Sequence, residues 1–174
     1  MLDRHESVEK PQMMSILKLL RNDLRQLIDS GSSIGAKVAE NPIMWVAPIR
    51  HRFIQIFEEI EVESRWHFAT DWQTPPSPLQ SLSLSRVVEE ALTNIIKHSR
   101  ATQVDVTLVE NQQHLILEVS DNGVGFNPDQ VQEGLHVGLH SMQVRISRIG
   151  GEFKIISTAE HTHIRVTIPR LISV

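Results

Sequence analysis

Apolar residues recur along this chain in two periods, and the switches between them mark the elements. Behind a polar opening, Pro11 stands where a first helical turn tolerates proline. Ile16, Leu17, Leu19, Leu20, Leu24, Leu27 and Ile28 then keep helical spacing as far as Ser30-Gly31, which predicts an amphipathic helix. Ser32 to Pro48 carries Gly35, Asn41-Pro42 and Trp45 and reads as a linker with room for a short helical turn. Ile49, Phe53, Ile56, Phe57 and Ile60 repeat every three or four residues and predict a second helix ending near Glu61. From Val62 to Trp72 the pattern changes to a period of two, with Val62, Ser64, Trp66 and Phe68 on the even positions, and predicts an edge strand. A Pro-rich loop, Thr74-Pro75-Pro76-Ser77-Pro78, follows it.

Helical spacing returns at Leu82, where Leu84, Val87, Val88, Ala91, Leu92, Ile95 and Ile96 form a wide apolar face down to about His98. Gln103 to Val109 and His114 to Val119 read as a hairpin of two strands around the polar turn Glu110-Asn111-Gln112-Gln113. Phe126 to Val137 is polar with little period, and Gly138 to Ile149 reads as a helix that Gly150-Gly151 stops. Phe153 to Ser157 and Ile164 to Ile168 are the last two strands, the second ended by Pro169. Helices grouped around a hairpin and then a second strand pair predict an α+β fold. The expected architecture is a two-layer α/β sandwich with helices on one face of a mixed or antiparallel sheet and an N-terminal helix appended. Two segments are expected, 1–47 for the first helix and linker and 48–174 for the folded domain.

Composition narrows the function classes. Lys and Arg number 17 against 21 Asp and Glu, a formal charge of −4, so there is no basic field to hold nucleic acid by counterion release. Zero cysteines exclude disulfides, thiolate catalysis and thiolate zinc sites. No uncharged apolar run approaches the roughly 20 residues of a membrane span. The charged opening, Met1 to Lys10, is unlike a signal peptide, and a soluble cytoplasmic piece without membrane contact is expected.

Three groups of residues carry chemistry. Glu90 and Asn94 are four apart on the core helix, with Lys97 and His98 one turn further along the same side. A solvated face with Arg86 paired to Glu90 would explain them. So would hard oxygen ligands for Mg²⁺ or its waters from the carboxylate and amide, with Lys97 and His98 meeting phosphate oxygens. Asp121, Gly123 and Gly125 stand at a strand end, where an Asp turn or a carboxylate accepting from an exocyclic amino group, as adenine N6 offers, are the two readings. Gly138-Leu139 opens the predicted helix, a place for a capping glycine or for phosphate at free N–H groups.

Taken in order, Glu90-Ala91-Leu92-Thr93-Asn94-Ile95-Ile96-Lys97-His98-Ser99, Asp121-Asn122-Gly123-Val124-Gly125-Phe126, and Gly138-Leu139-His140-Ser141-Met142 with Arg145 and Gly150-Gly151 closely resemble the N, G1 and G2 boxes of the GHKL ATPase superfamily. Within it the chain is most similar to sensor histidine kinases of the NarL class, down to Thr162 and Arg165-Val166-Thr167-Ile168-Pro169. The resemblance runs from about Ile49 to Pro169 and implies the Bergerat fold, with ATP and Mg²⁺ as cofactors held under a mobile lid, placed at Phe126 to Val137, which has few apolar anchors beyond Val131 and Leu135. It implies Asn94 as the Mg²⁺ ligand, Asp121 on the adenine amino group, and Lys97 and His98 on phosphates. Gly123, Gly125, Gly138 and Leu139 would meet the nucleotide, as would Thr162, and Glu90 would organise the metal's hydration. The implied activity is transfer of the γ-phosphoryl group of ATP to a histidine on a helix upstream of Met1, for relay to a response-regulator receiver domain. Implied partners are the dimerisation and phospho-acceptor helices of a parent kinase, whose second helix Leu19 to Ser30 resembles, and a second copy of the chain.

The chain departs from the family pattern at two places, with His136-Val137-Gly138 where two glycines flank one residue, and His161 before Thr162 where a glycine is usual. These departures suggest an alternative function, a degenerate kinase-like module that binds a protein partner; a hydrolase of the gyrase or mismatch-repair kind is a further one. His136 with His140, and His161 with His163, are spaced to share a metal, but no third ligand is evident and surface histidines are expected. His5-Glu6 echoes an acceptor pair, yet Pro11 breaks the helix six residues later, so His5 is expected to be a bystander.

Overall fold

The computed structural model describes residues 38–127 and 133–170. All of them belong to one compact unit, Val38–Val174, while the expected helix from Pro11 to Ser30 and His5 lie outside the described residues. The first described helix, α1, spans Pro42–Glu59 and so runs through the segment read as linker and across the expected boundary at 47/48. Asn41 caps it by accepting from the Met44 N–H at 2.8 Å, and Pro42 occupies the first turn, where a missing N–H costs nothing. Pro48 is tolerated inside the helix because Trp45, Val46, Ile49, Phe53 and Phe57 bury one continuous stripe that anchors the turns on both sides of it.

Five strands form one sheet in the order β1-β2-β3-β5-β4. They are β1 (Glu63–Phe68), β2 (Gln103–Glu110), β3 (His114–Asp121), β4 (Glu152–Ser157) and β5 (Thr162–Pro169). The β1 strand lies at an edge as its alternation predicts, and it runs parallel to β2, while every other pair is antiparallel. A parallel pair needs a crossover, and helix α2 (Pro78–Asn94) supplies it. This helix begins four residues before the expected start at Leu82. Ser77 and Gln80 form a reciprocal capping box, at 3.1 and 2.9 Å, with Pro78 in the first turn, so the end of the Pro-rich loop is a helix start. After Asn94 the helix widens into a single π turn, Ile95–Ser99, and Arg100 turns out of it in the left-handed conformation at φ 53°.

Helix α3 spans Glu133–Arg148. It starts five residues before Gly138, which corrects two expectations: Glu133 to Val137 is helical rather than part of an irregular lid, and Gly138 does not open a helix. The i, i+4 pair Leu135 and Leu139 explains the extension, since both face the interior and hold the first turns against α2 and the sheet. On the sheet, Val104, Val106 and Leu108, Leu115, Leu117 and Val119, and Ile164, Val166 and Ile168 share the face that packs against Phe57, Leu84, Val88, Leu92, Met142 and Ile146. That parity continues to the strand ends, where Asp121 stands directly opposite Thr162 on the helix-covered face.

Candidate functional site

Because side chains alternate across a strand, a carboxylate two positions beyond Val119 must enter the same interior as the core valines. Asp121 is only 6% exposed there. Its Oδ1 accepts from the Gly123 N–H at 2.9 Å. Burial pushes its pKa up from the ordinary value, against the pull of the Gly123 N–H, the Ser99 side chain and the His161 charge. The chain then doubles back over the end of the π turn, with the Val124 N–H donating to the Ser99 carbonyl at 2.7 Å. A Cβ at Gly123 would collide with that same carbonyl, and one at Gly125, whose φ is +60°, would collide with the Thr158 carbonyl. Only glycine lets the loop lie this close to two backbones.

Beneath the loop is a pocket of about 460 Å³, measured out to its open mouth. Ala91 and Ile95 from α2 and the π turn, Val119, Ile155 and Ile164 from the sheet, and Leu135 and Leu139 from α3 give it aliphatic walls. Asn94, His98, Ser99, Asp121 and Thr162 supply its polar groups. An aliphatic-walled pocket that also holds a buried carboxylate and a hydroxyl suits a heteroaromatic ring that carries an amino group.

Of the predicted site residues, Asn94, His98, Asp121, Gly125, Leu139 and Thr162 line this pocket, and Gly123 shapes its loop. Gly138 lies in the second turn of α3, where it lets that helix press against α2: a Cβ there would strike the Glu90 carboxylate and lie 3.7 Å from Asn94 Nδ2. Glu90 therefore faces α3, while Arg86 pairs with Glu89 at 2.7 Å and Arg52 with the other Glu89 oxygen at 2.6 Å. This corrects the expected Arg86–Glu90 pair and leaves Glu90 without an ion-pair partner among the described residues. Asn94 Nδ2 is buried with no hydrogen-bond partner, the sign of a polar site completed by something else. Lys97 is exposed and lies outside the pocket wall. His136, His140 and His161 are exposed, and no cluster of three metal-ligating side chains occurs among the described residues.

The family profile described as histidine kinase-, DNA gyrase B-, and HSP90-like ATPase matches residues 80–172, more than half of the chain. The chain belongs to this family. The resemblance read from the boxes around Asn94, Asp121 and Gly138 is thereby borne out, and the sheet and helices agree with it. Among relatives of this ATPase domain, the sensor histidine kinase LiaS of Bacillus subtilis is 45% identical over 87 residues, 49% of this chain and 24% of LiaS. The signal transduction histidine-protein kinase/phosphatase UhpB of Salmonella typhimurium is 34% identical over 119 residues, 66% of this chain and 23% of UhpB. The chain thus spans about a quarter of the length of these relatives. The solved Acinetobacter baumannii histidine kinase AdeS shares the fold with a TM-score of 0.64 at 14% identity, covering 95% of this chain and 87% of that one.

Sequence reasoning missed several site residues. Ser99 stood inside the first box but drew attention only as its end, since nothing local shows that the π turn swings it beneath Asp121. Ile155 and Ile164 read as ordinary strand positions, and Leu135 fell within the segment assigned to the lid. Ser157 was visible as the last residue of a strand, yet its partners, Phe126 and Thr162, are set by strand order.

Proposed function

We propose that this domain binds ATP with Mg²⁺ and transfers its γ-phosphoryl group to a histidine side chain, from which it passes to an aspartate of a response-regulator receiver domain. The observation that carries the reading is the buried Asp121 carboxylate at the end of an aliphatic slot, under a loop that only glycines can form. Asp121 would accept from the adenine amino group, with Thr162 beside it, while Gly123 and Gly125 let the ring lie against bare backbone. Asn94 and Glu90 would hold the metal and its water shell, which fits the unpartnered amide of one and the unpaired carboxylate of the other. Bound there, Mg²⁺ would offset the phosphate charge. Lys97 and His98, both exposed in the π turn that follows α2, would meet the phosphate oxygens. Phosphoryl transfer needs positioning and charge neutralisation more than a covalent nucleophile, and this residue set offers that.

The relatives' names support the assignment to two-component signalling. The partners in this reading are the dimerisation and phospho-acceptor helices of a parent kinase, a second copy of the chain, and the receiver domain, in the cytoplasm. No described helix is long and apolar enough to cross a membrane. Calorimetry with ADP and with a nonhydrolysable ATP analogue, each with and without Mg²⁺, tests the reading. Saturable binding of both, with Mg²⁺ favouring the triphosphate, is expected, and no binding of either would overturn it.

Asn94→Asp is expected to change metal dependence, because a second charge at the metal also repels phosphate. Affinity for the Mg²⁺-loaded triphosphate analogue should change strongly and affinity for metal-free ADP little; equal loss in both titrations would mean that Asn94 only supports the helix.

A further inference from the structure

Ser157, at the end of β4, touches both the glycine loop and the pocket wall. Its Oγ accepts from the Phe126 N–H at 2.8 Å and lies 3.0 Å from the Thr162 hydroxyl. Two hydroxyls at that distance share one proton, and its direction decides what Thr162 offers the pocket. If Thr162 donates to Ser157, the half-buried Ser157 proton is left with no acceptor among the described residues and must turn to solvent, because Phe126 presents a donor. If Ser157 donates to Thr162, both Ser157 bonds are satisfied and the Thr162 proton is free to point into the pocket. The Phe126 N–H therefore biases the pair toward the second arrangement, since it claims Ser157 as an acceptor.

We propose that Ser157 is a positioning residue that sets Thr162 as a hydrogen-bond donor toward a ring nitrogen of the bound base. Thr162 stands directly opposite Asp121 across the β3–β5 ladder, and both enter one pocket. Directly paired residues in an antiparallel ladder lie about 5 Å apart, within reach of neighbouring groups on one ring edge. Asp121 accepts and Thr162 donates, a pattern that matches the amino group and the adjacent N1 of adenine. A 6-oxo purine, with an acceptor and an N1–H in those places, meets the reverse pattern at both. This inference rests on the adenine-nucleotide reading and adds the residue that orients one half of the recognition.

The test compares ADP with 1-deaza-ADP, in which N1 is replaced by CH, by calorimetry on the wild-type chain and on Ser157→Ala, Ser157→Cys and Ser157→Thr. The wild type should bind 1-deaza-ADP about tenfold more weakly than ADP, the worth of one hydrogen bond. In Ser157→Ala that ratio should fall about threefold, because the Thr162 hydroxyl then spreads over its three staggered positions instead of being held toward the pocket. Ser157→Cys, with a weak S–H donor of similar size, should fall between, and Ser157→Thr should restore the wild-type ratio. Thermal unfolding of each variant shows that the fold is retained. Equal weakening of both nucleotides in Ser157→Ala and Ser157→Cys would overturn the positioning role and leave the nucleotide reading standing. No binding of ADP to the wild type would overturn both.

Discussion

Replacing Asp121 with asparagine is expected to weaken ADP binding by about ten- to a hundredfold, the loss of a charge-assisted hydrogen bond worth roughly 1.5–3 kcal/mol. The asparagine amide keeps an oxygen for the Gly123 N–H and can turn its own donor toward the ligand's amino group, so geometry survives and complementarity does not. Folding should respond in the opposite direction. Burial raises the Asp121 pKa in the folded chain, so the native state takes up a proton at a pH where the unfolded state has not. The ionised carboxylate is thus a cost to the fold above its raised pKa, and the cost fades as pH falls toward the ordinary value of 3.8. Asp121→Asn removes that cost, and its thermal midpoint at neutral pH should equal or exceed the wild type's. ADP affinity of the wild type should decline as the pH is lowered through the raised pKa, because a protonated carboxyl presents a donor to a donor. Calorimetry and thermal unfolding across that range measure both effects. Equal wild-type affinity for ADP and GDP would defeat the role assigned to Asp121.

Gly125→Ala is expected to reduce ADP affinity on the order of a hundredfold. The residue sits at φ +60°, where a side chain costs about 1–2 kcal/mol. Its Cβ would also meet the Thr158 carbonyl, a backbone atom that no rotamer change can move, for roughly 1–3 kcal/mol more. The loop must then lift, which breaks the Phe126–Ser157 bond and opens the slot beside Asp121. Gly150→Ala is the matched control. Gly150 has φ +72° and open space around its Cβ position, remote from the pocket, so it should lose some stability and keep its ADP affinity. A Gly125→Ala chain that binds ADP like the wild type would remove the loop from the site.

The extent of α1 and α2 shows where local signals mislead. Asn41-Pro42 and Ser77-Pro78 resemble turn dipeptides, and each is a cap followed by a first-turn proline. The Ser77–Gln80 spacing was readable as a capping box; Pro48, by contrast, argues locally against a helix that exists because its apolar stripe is buried. Gly138 misled in another way. It has the look of a helix start, yet it is where α3 needs no side chain in order to approach Glu90, a contact between residues far apart in the chain.

Periodicity and turn residues were enough to read the α+β architecture and the edge position of β1, and the resemblance of the boxes around Glu90 and Asn94, around Asp121, Gly123 and Gly125, and around Gly138 pointed to the family. Those properties depend on which residues lie near each other along the chain, and local patterning carries them. Strand order and helix packing decided the rest: Thr162 opposite Asp121, Ser157 between Phe126 and Thr162, Glu89 rather than Glu90 between two arginines, and the Asn94 amide buried without a partner. Each of these is a contact between segments brought together by burial of apolar surface, a force without direction that leaves no periodic trace of which polar groups will meet.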